Sequence, residues 1–402
     1  MTQPSSPSTA APGRLSPPAA MALVASVLIA FLAASSAPSP LYALWRDDWG
    51  FSAAMLTAIF SSYAFALLAA LLVFGALSDH LGRRVVIVAA LLLEIASVVL
   101  FHQAESVPWL FAARIVQGLA TGIATSVLGA TLLDLHPVRG ALFNSVAPML
   151  GMALGALGTG LLVQFADRPT HLVFELLLPV LAVQTLLAWR LPDTIRPRPG
   201  AWQSLLPQVH LPPPVRPTLW RILPLNTAGW ALGGFYLSLG PTLARAVTGS
   251  RSPVVGGALI ALLVTSGAAA ILMVRRRTPQ AVLRGSAVAL TAGLAVTLVG
   301  VWRHDAALFF GGTLVAGLGF GAGFNGAVRS LVPLAPPQER AGMMAGFFVL
   351  SYLAFALPAI AAGVAAGAVG LDHAALGYGG TLIVLALAAL VLSSQRTAAQ
   401  RS

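Results

Sequence analysis

Residues 53–102 read AAMLTAIFSSYAFALLAALLVFGALSDHLGRRVVIVAALLLEIASVVLFH. Two apolar runs flank a short charged turn, and each run is near the ~20 residues that an α-helix needs to cross a bilayer. A lone strand in lipid would leave its backbone N–H and C=O groups unpaired, so both runs are predicted to be helical. This pair of membrane-spanning helices decides the fold class.

The same pattern continues along the 402-residue chain, which is 57% hydrophobic and only 9% charged. A soluble domain carries roughly a quarter charged residues, so the sequence predicts an all-α membrane protein with twelve transmembrane helices. The predicted spans are 20–44, 53–78, 84–102, 107–134, 140–165, 171–190, 221–245, 253–274, 282–302, 306–331, 341–366 and 374–394.

Residues 1–19 are rich in Pro, Ser and Ala and are predicted to be a disordered tail, and 395–402 form a C-terminal tail. The first span also allows a second interpretation. Its apolar core is followed by the small-residue run 33–37, which is typical of a cleaved signal peptide.

Arginine supplies every basic residue of the chain, and its distribution predicts the topology. With the amino terminus in the cytoplasm, 17 arginines fall in cytoplasmic segments and five on the other side, while Arg114 lies within a span. Cytoplasmic loops of membrane proteins carry an excess of Lys and Arg. We therefore predict a multi-pass protein of the cell's inner (plasma) membrane with both termini cytoplasmic.

The longest connection, residues 191–220, is rich in Pro and Arg and is predicted to be a cytoplasmic linker. It divides the chain into two six-helix bundles, 20–190 and 221–394.

The two halves look related in sequence. Gly118 and Gly122 of span four are matched about 200 residues later by Gly317 and Gly321 of span ten. Such an internal repeat is typical of transporter architectures, so we predict pseudo-symmetric bundles.

The charged turn between spans two and three is Gly75-Ala-Leu-Ser-Asp79-His-Leu-Gly82-Arg83-Arg84. Charges of both signs at helix ends can form a latch that holds one conformation and releases in another. The alternative is a turn that only sets topology.

This turn resembles the loop signature of the major facilitator superfamily, G-x-x-x-D-[RK]-x-G-[RK]-[RK], and departs from it only at His80. A second signature, R-x-x-Q-G, is met by Arg114, Gln117 and Gly118. The resemblance implies two six-helix bundles around a central cavity, with rocker-type alternating access. It also implies a conformational charge relay, to which Asp79, Arg83 and Asp134 correspond.

Span five meets the family's antiporter signature, G-x-x-x-G-P-x-x-G-G, only at Pro148 and Gly151. Together with Gly155, these residues predict either a hinge or a smooth surface for close helix packing.

Glu94 and Arg114 are two charges inside predicted spans, where a charge usually marks a partner or a pathway. Glu94 lies eight residues before His102 and Arg114 seven residues after Val107. At ~1.5 Å per residue the two lie at similar depth, so we predict that they pair. The pair is either structural, or Glu94 exchanges protons while Arg114 meets the substrate.

Polar and aromatic residues inside helices that line the cavity in this superfamily are candidate substrate contacts. These residues are Tyr63, Gln117, Trp230, Tyr236, Asn325 and Tyr352. With few charges among them, they favour a weakly polar or amphipathic organic solute. Packing is the alternative role for each of them.

We expect a secondary carrier, acting as a monomer, that exports its solute in exchange for protons. Uptake by proton symport, or facilitated diffusion, is the alternative, and a non-transporting sensor or enzyme is the rival class. We expect no metal, cofactor, catalytic residue or nucleic-acid partner, since Cys and Lys are absent and the arginines lie between apolar runs. The proton gradient would supply the energy.

Overall fold

The computed structural model of the protein describes residues 14–399, with side chains up to residue 392. Within that range the chain forms fifteen α-helices, three short 3-10 turns and no strand. The helices are α1 (Pro17–Ser36), α2 (Pro38–Trp49), α3 (Ala53–Phe74), α4 (Leu77–Leu81), α5 (Arg83–His102), α6 (Val107–Leu135), α7 (Pro137–Phe165), α8 (Pro169–Ala188), α9 (Arg216–Ser238), α10 (Gly240–Thr248), α11 (Pro253–Val274), α12 (Pro279–Arg303), α13 (Ala306–Leu331), α14 (Arg340–Val369) and α15 (Leu371–Ala399).

Eleven helical stretches of the described chain are long and apolar enough to cross a bilayer, with α1 and α2 counted as one stretch. The predicted seventh span is not among them, because Arg221, Pro224 and Asn226 lower the hydropathy of α9. Helix α9 is nevertheless 23 residues long and packs against α13, α14 and α15. The predicted all-α membrane fold is confirmed, with eleven clear spans and α9 beside them.

Two predicted spans are each interrupted, at corresponding places in the two halves. The predicted span 20–44 breaks at Ala37, before Pro38, and the span 221–245 breaks at Leu239, before Gly240 and Pro241. Proline has no N–H to donate to the preceding turn, which explains a break at each site.

Several predicted boundaries were also wrong by a few residues. Helix α1 begins at Pro17, inside the predicted disordered tail, and α9 begins at Arg216, inside the predicted linker. The charged turn contains the short helix α4. Helix α15 continues to Ala399, into the predicted C-terminal tail, while residues 1–13 and 400–402 of the two tails lie outside the described range.

The internal repeat is visible in how glycines pack. A Cβ on Gly118 would collide with the carbonyl oxygen of Tyr63 in α3, and one on Gly317 with that of Leu263 in α11. Thus α6 approaches α3 as α13 approaches α11, and the matched glycines serve the same close contact in both halves.

The largest contacts between the two halves follow the same symmetry. Helix α3 packs against α14, and α7 packs against α11. Each of these two helix contacts is a seam between the halves. At the α3–α14 seam, the middle of both helices lies beside buried polar groups of the first half.

Candidate functional site

A buried polar network joins α5 and α6. Glu94, Arg114 and Gln117 are each 0% exposed. The amide of Gln117 donates from Nε2 to Glu94 Oε1 over 3.1 Å, and its Oε1 accepts from Arg114 Nη1 over 2.8 Å. Gln117 therefore bridges the two charges.

Glu94 and Arg114 were predicted to pair, and as a direct contact this prediction was wrong. No ion pair joins them within the described residues, because Gln117 occupies the position between them. Depth alone predicted their proximity, but the amide three residues after Arg114 on the same helix face intervenes.

Arg114 is further held by α1, α2 and a set of aromatic rings. Its guanidinium donates to the Tyr42 hydroxyl and, over 2.8 Å, to the Ser35 carbonyl. The guanidinium carbon lies within 5.3–5.8 Å of four ring centroids, which stabilise a desolvated cation. These rings belong to Tyr42, Phe60, Tyr63 and Phe101.

Two atoms of this network keep free hydrogen-bonding capacity. Glu94 Oε2 and Arg114 Nη2 are buried and have no hydrogen-bond partner within the described residues. Leaving such groups unpaired costs about 1–3 kcal/mol, and more for a charged group. A proton on Glu94 would remove the charge of this carboxylate, and a hydrogen-bond acceptor at Nη2 would satisfy Arg114.

The second half contributes an aromatic cluster from α9, α13 and α14. The Trp230 ring lies 4.8 Å from that of Tyr352, 5.7 Å from that of Phe324 and 6.0 Å from that of Phe355. Trp230, Phe324 and Tyr352 are only partly buried although they contact one another. Partly exposed rings of this kind offer apolar surfaces suited to an apolar or planar solute face.

Phe60 connects the polar network to this aromatic cluster. Its ring centroid lies 5.8 Å from the Arg114 guanidinium carbon and 5.2 Å from the Phe355 ring of α14. Only the Phe60 ring therefore separates the buried guanidinium of the first half from the aromatic cluster of the second.

The structure brings most of the predicted cavity residues to this region. Tyr63 and Gln117 contact Arg114, and Trp230 contacts Tyr352. Asn325 is partly buried next to Phe324 in the sequence of α13, and its place in the cavity stays a prediction. Tyr236 differs: it is 3% exposed and its hydroxyl pairs with that of Thr313 at 2.9 Å. Tyr236 thus packs in the interior between α9 and α13, apart from the cluster.

Arg83 organises the charged turn. Its guanidinium bonds Asp79 at 2.7 Å, Asp134 at 3.1 Å and the Ser78 hydroxyl at 2.6 Å. The side chains predicted as a charge relay therefore do meet, with Arg83 between two carboxylates. Gly82, with φ of 93°, provides the left-handed turn that aims Arg83 inward.

Sequence reasoning missed a segment that docks on this turn. Arg84 pairs with Asp193 at 3.4 Å, and the Thr194 hydroxyl donates to Asp134 over 2.8 Å. The signal was available, since Asp193 is the only acidic residue in the basic stretch 191–220.

His80, the departure from the family pattern, contacts the same segment. Its Nδ1 lies 3.2 Å from the Arg198 carbonyl and 3.0 Å from the Pro199 carbonyl. Carbonyl oxygens only accept, so Nδ1 carries the proton. The charged turn and residues 193–200 thus lie on one face of the protein.

Pro148, Gly151 and Gly155 lie in α7, which continues unbroken from Pro137 to Phe165. A Cβ on Gly151 would collide with the Ile29 carbonyl, and one on Gly155 with that of Ala33, both in α1. The geometry supports the packing interpretation, and the hinge stays a prediction.

The family model described as Major Facilitator Superfamily matches residues 23–348. No curated protein sequence matches the chain.

Three solved structures are similar in fold. A bacterial homolog of the human lysosomal transporter Spinster, in an inward-facing and unoccupied conformation, has a TM-score of 0.75 and 13% identity, over 96% of this chain and 98% of that one. The nucleoside transporter NupG has a TM-score of 0.69 and 15% identity, over 93% and 98%. The human organic anion transporter MFSD10 (TETRAN) has a TM-score of 0.66 and 19% identity, over 94% and 100%.

Proposed function

Because the chain belongs to the major facilitator superfamily and is therefore a secondary transporter of small solutes, we propose that it exports an organic solute in exchange for protons. The observation that carries this proposal is the Glu94–Gln117–Arg114 network, with one unpartnered carboxylate oxygen, one ring away from the aromatic cluster.

Glu94 is the proposed proton site. Burial favours its neutral form, whereas the positive charge of Arg114, relayed through Gln117, favours the ionised form. Opposing influences of this kind let a carboxyl change state when its surroundings change, as they do between two conformations of a carrier.

The solute is proposed to bind at the aromatic cluster and to reach Arg114 past Phe60. An ionised Glu94 is proposed to hold the guanidinium, through Gln117, where it meets the solute, and protonation of Glu94 weakens this hold so that proton and solute compete. Proton binding and solute binding are then linked through one residue, and linkage is reciprocal. The rings favour a weakly polar or amphipathic solute.

The charged turn is proposed to act as a latch for the conformational change. Arg83 holds α4, α5 and the end of α6 together through Asp79 and Asp134. Separating these ends in the other conformation would require at least one of the two ion pairs to break. We further propose that the turn faces the cytoplasm and that the protein works as a monomer in the plasma membrane.

Proteoliposomes containing a pH-sensitive dye test the coupling. A panel of lipophilic cations, organic anions and nucleosides is added outside, and the luminal pH is followed. A compound that exchanges for protons makes the lumen more alkaline, whereas a symported compound makes it more acidic. The sign of the signal therefore separates export-type antiport from uptake-type symport.

The variant Glu94→Gln assigns the proton site. We expect it to abolish the pH signal while solute–solute counterflow of the same compound persists. Glu175→Gln is the matched control, because Glu175 is a half-exposed carboxylate that pairs only with His102 among the described residues. A Glu94→Gln protein that moves protons as the wild type does would refute the proposal.

A further inference from the structure

Asn226 in α9 and Ser351 in α14 form a buried polar pair in the second half. They are 5% and 0% exposed. Asn226 Nδ2 donates to the Ser351 hydroxyl oxygen over 2.9 Å, and that hydroxyl donates to the Phe347 carbonyl over 2.8 Å.

This chain of bonds fixes the orientation of the Asn226 amide. The single hydroxyl proton of Ser351 is used on Phe347, so its oxygen must accept from Asn226. The amide nitrogen therefore faces Ser351, and the amide oxygen faces away from it. Oδ1 of Asn226 has no hydrogen-bond partner within the part of the chain that the structure describes.

An oriented acceptor without a partner is unusual in a buried position, because it loses its bonds to water without replacement. Another buried amide, Gln184 in α8, also has an unpartnered oxygen, but it lies in the first half beside Ser26. What distinguishes Asn226 is its surroundings.

Asn226 lies beside the aromatic cluster. Trp230 follows it by four residues on the same face of α9, and Tyr352 follows Ser351 in α14. Phe347, whose carbonyl ends the chain of bonds, has its ring 6.0 Å from that of Phe324, which contacts Trp230. Asn226 thus lies one helical turn from Trp230, and its chain of hydrogen bonds ends at a residue that stacks on the cluster.

The charge of this half restricts what the acceptor can bind. From residue 216 onward the acidic residues are Asp305, Glu339 and Asp372, and each lies at or next to a helix start. With no carboxylate at the depth of the cluster, a cationic donor would find no counter-ion there and would have only ring faces to stabilise it, of which the Phe60 face already serves Arg114. A neutral N–H or O–H donor on a planar ring system matches both the amide oxygen and the aromatic faces.

We propose that Asn226 is a specificity-determining residue whose Oδ1 accepts a hydrogen bond from a neutral, planar heterocyclic solute, with Ser351 positioning the amide. This inference rests on the proposed transport function and names its substrate class.

Matched pairs of probes that differ by one N–H group test the inference. Theophylline and caffeine form one pair, and uracil and 3-methyluracil form another. Binding to the purified full-length protein in detergent is measured by calorimetric titration without any pH gradient. We expect the N–H member of a pair to bind wild type about tenfold tighter, a ratio that corresponds to one buried hydrogen bond.

The variant Asn226→Leu is expected to bring this ratio close to one, largely by weakening the N–H member. Gln184→Leu is the matched control, because it removes a buried amide with an unpartnered oxygen elsewhere, and it should keep the tenfold ratio. Should Asn226→Leu fail to fold, Ser351→Ala is used instead; it is expected to lower the ratio because the amide loses its anchor.

An unchanged ratio in the Asn226 or Ser351 variant overturns the inference, and so does the absence of binding by every probe to wild type. Proton-coupled flux measured with Glu94→Gln remains a separate readout. Transport of other solutes with normal coupling would mean that only the substrate class is wrong, whereas loss of all coupled flux in wild type would mean that the proposed function is wrong.

Discussion

The ring of Phe60 in α3 lies 5.2 Å from the ring of Phe355 in α14, so an aromatic contact joins the two halves right beside the buried guanidinium of Arg114. A short distance along the same seam, a Cβ on Gly363 would overlap the side chain of Thr57. The proposed alternating access would require this seam to open and close. The contact would then belong to one conformation of the cycle.

Locking the seam should stop transport. In the double variant Thr57→Cys and Gly363→Cys, the sulfur atoms lie within reach of a disulfide, because the two side chains would otherwise overlap. The natural chain has no cysteine, so no other thiol competes. We expect oxidation to join the halves, visible as one band on a non-reducing gel after cleavage within 191–220, and to stop flux until a reductant is added.

The control for this cross-link lies one turn further along α14. A Cβ on Gly367 would have open space within 4 Å, so Thr57→Cys with Gly367→Cys should cross-link poorly and transport normally. Full flux in the oxidised Thr57–Gly363 pair would show that the seam does not open during transport.

The bridging role of Gln117 predicts non-additive energetics. Gln117→Leu leaves Glu94 without its hydrogen-bond donor and Arg114 without one acceptor. We expect a loss of about 1–3 kcal/mol in the free energy of unfolding. In a Glu94→Gln background the same change should cost less, since no buried carboxylate is then left unpaired.

A double-mutant cycle on unfolding in detergent measures this difference. Residues in one hydrogen-bonded network typically show coupling of about 0.5–3 kcal/mol. Additive effects within ~0.3 kcal/mol would mean that Gln117 does not relay charge between Glu94 and Arg114.

Arg83 should matter more for stability than its neighbours in the charged turn. It is 8% exposed and contacts two carboxylates that are themselves partly exposed. Removing it should cost more than the ~1 kcal/mol of a surface pair but less than the ~3–5 kcal/mol of a fully buried one. Arg83→Lys should recover only part of the loss, because a lysine lacks the planar fork that reaches Asp79, Asp134 and Ser78 together.

Thermal unfolding in detergent compares Arg83→Gln and Arg83→Lys with Arg139→Gln, an exposed arginine at the start of α7. Equal midpoints for the Arg83 and Arg139 variants would contradict a structural role for the cluster.

Sequence periodicity and charge predicted the fold class well, because lipid tolerates few alternatives to helices of about 20 residues. The breaks at Ala37, before Pro38, and at Leu239, before Gly240, were missed, since proline inside an apolar run is also common in unbroken membrane helices. Helix α14 illustrates this, as it continues through Pro358. Whether a proline interrupts a span depends on whether neighbouring helices bond the backbone carbonyl that the proline leaves without a donor. The packing of those neighbours cannot be read from one sequence.

The candidate site was predictable in part for the same reason. Burial depth located Glu94 and Arg114, but which polar atom sits between them depends on side-chain rotamers, so the Gln117 bridge was not predicted. Asn226 was missed because its importance lies in an unpartnered atom, which appears only when every donor and acceptor around it is placed.

The glycines of α7 allow packing and hinge bending to be separated experimentally. A Cβ on Gly155 would collide with the Ala33 carbonyl and the Ser36 hydroxyl of α1, whereas a Cβ on Gly158, one turn away, would have open space. We expect Gly155→Ala to lower the free energy of unfolding by about 1–3 kcal/mol, the usual range for overpacking. Gly158→Ala should be neutral or slightly stabilising, since alanine favours a helix over glycine by up to about 1 kcal/mol.

Measuring stability and flux on the same preparations decides between the two roles. A packing role predicts that Gly155→Ala loses stability and that the protein which remains folded transports normally. A hinge role predicts reduced turnover in both variants, because both substitutions stiffen the same helix, and Gly158→Ala would show this loss without the collision that destabilises Gly155→Ala. Loss of flux in both variants at unchanged stability would therefore refute the packing interpretation.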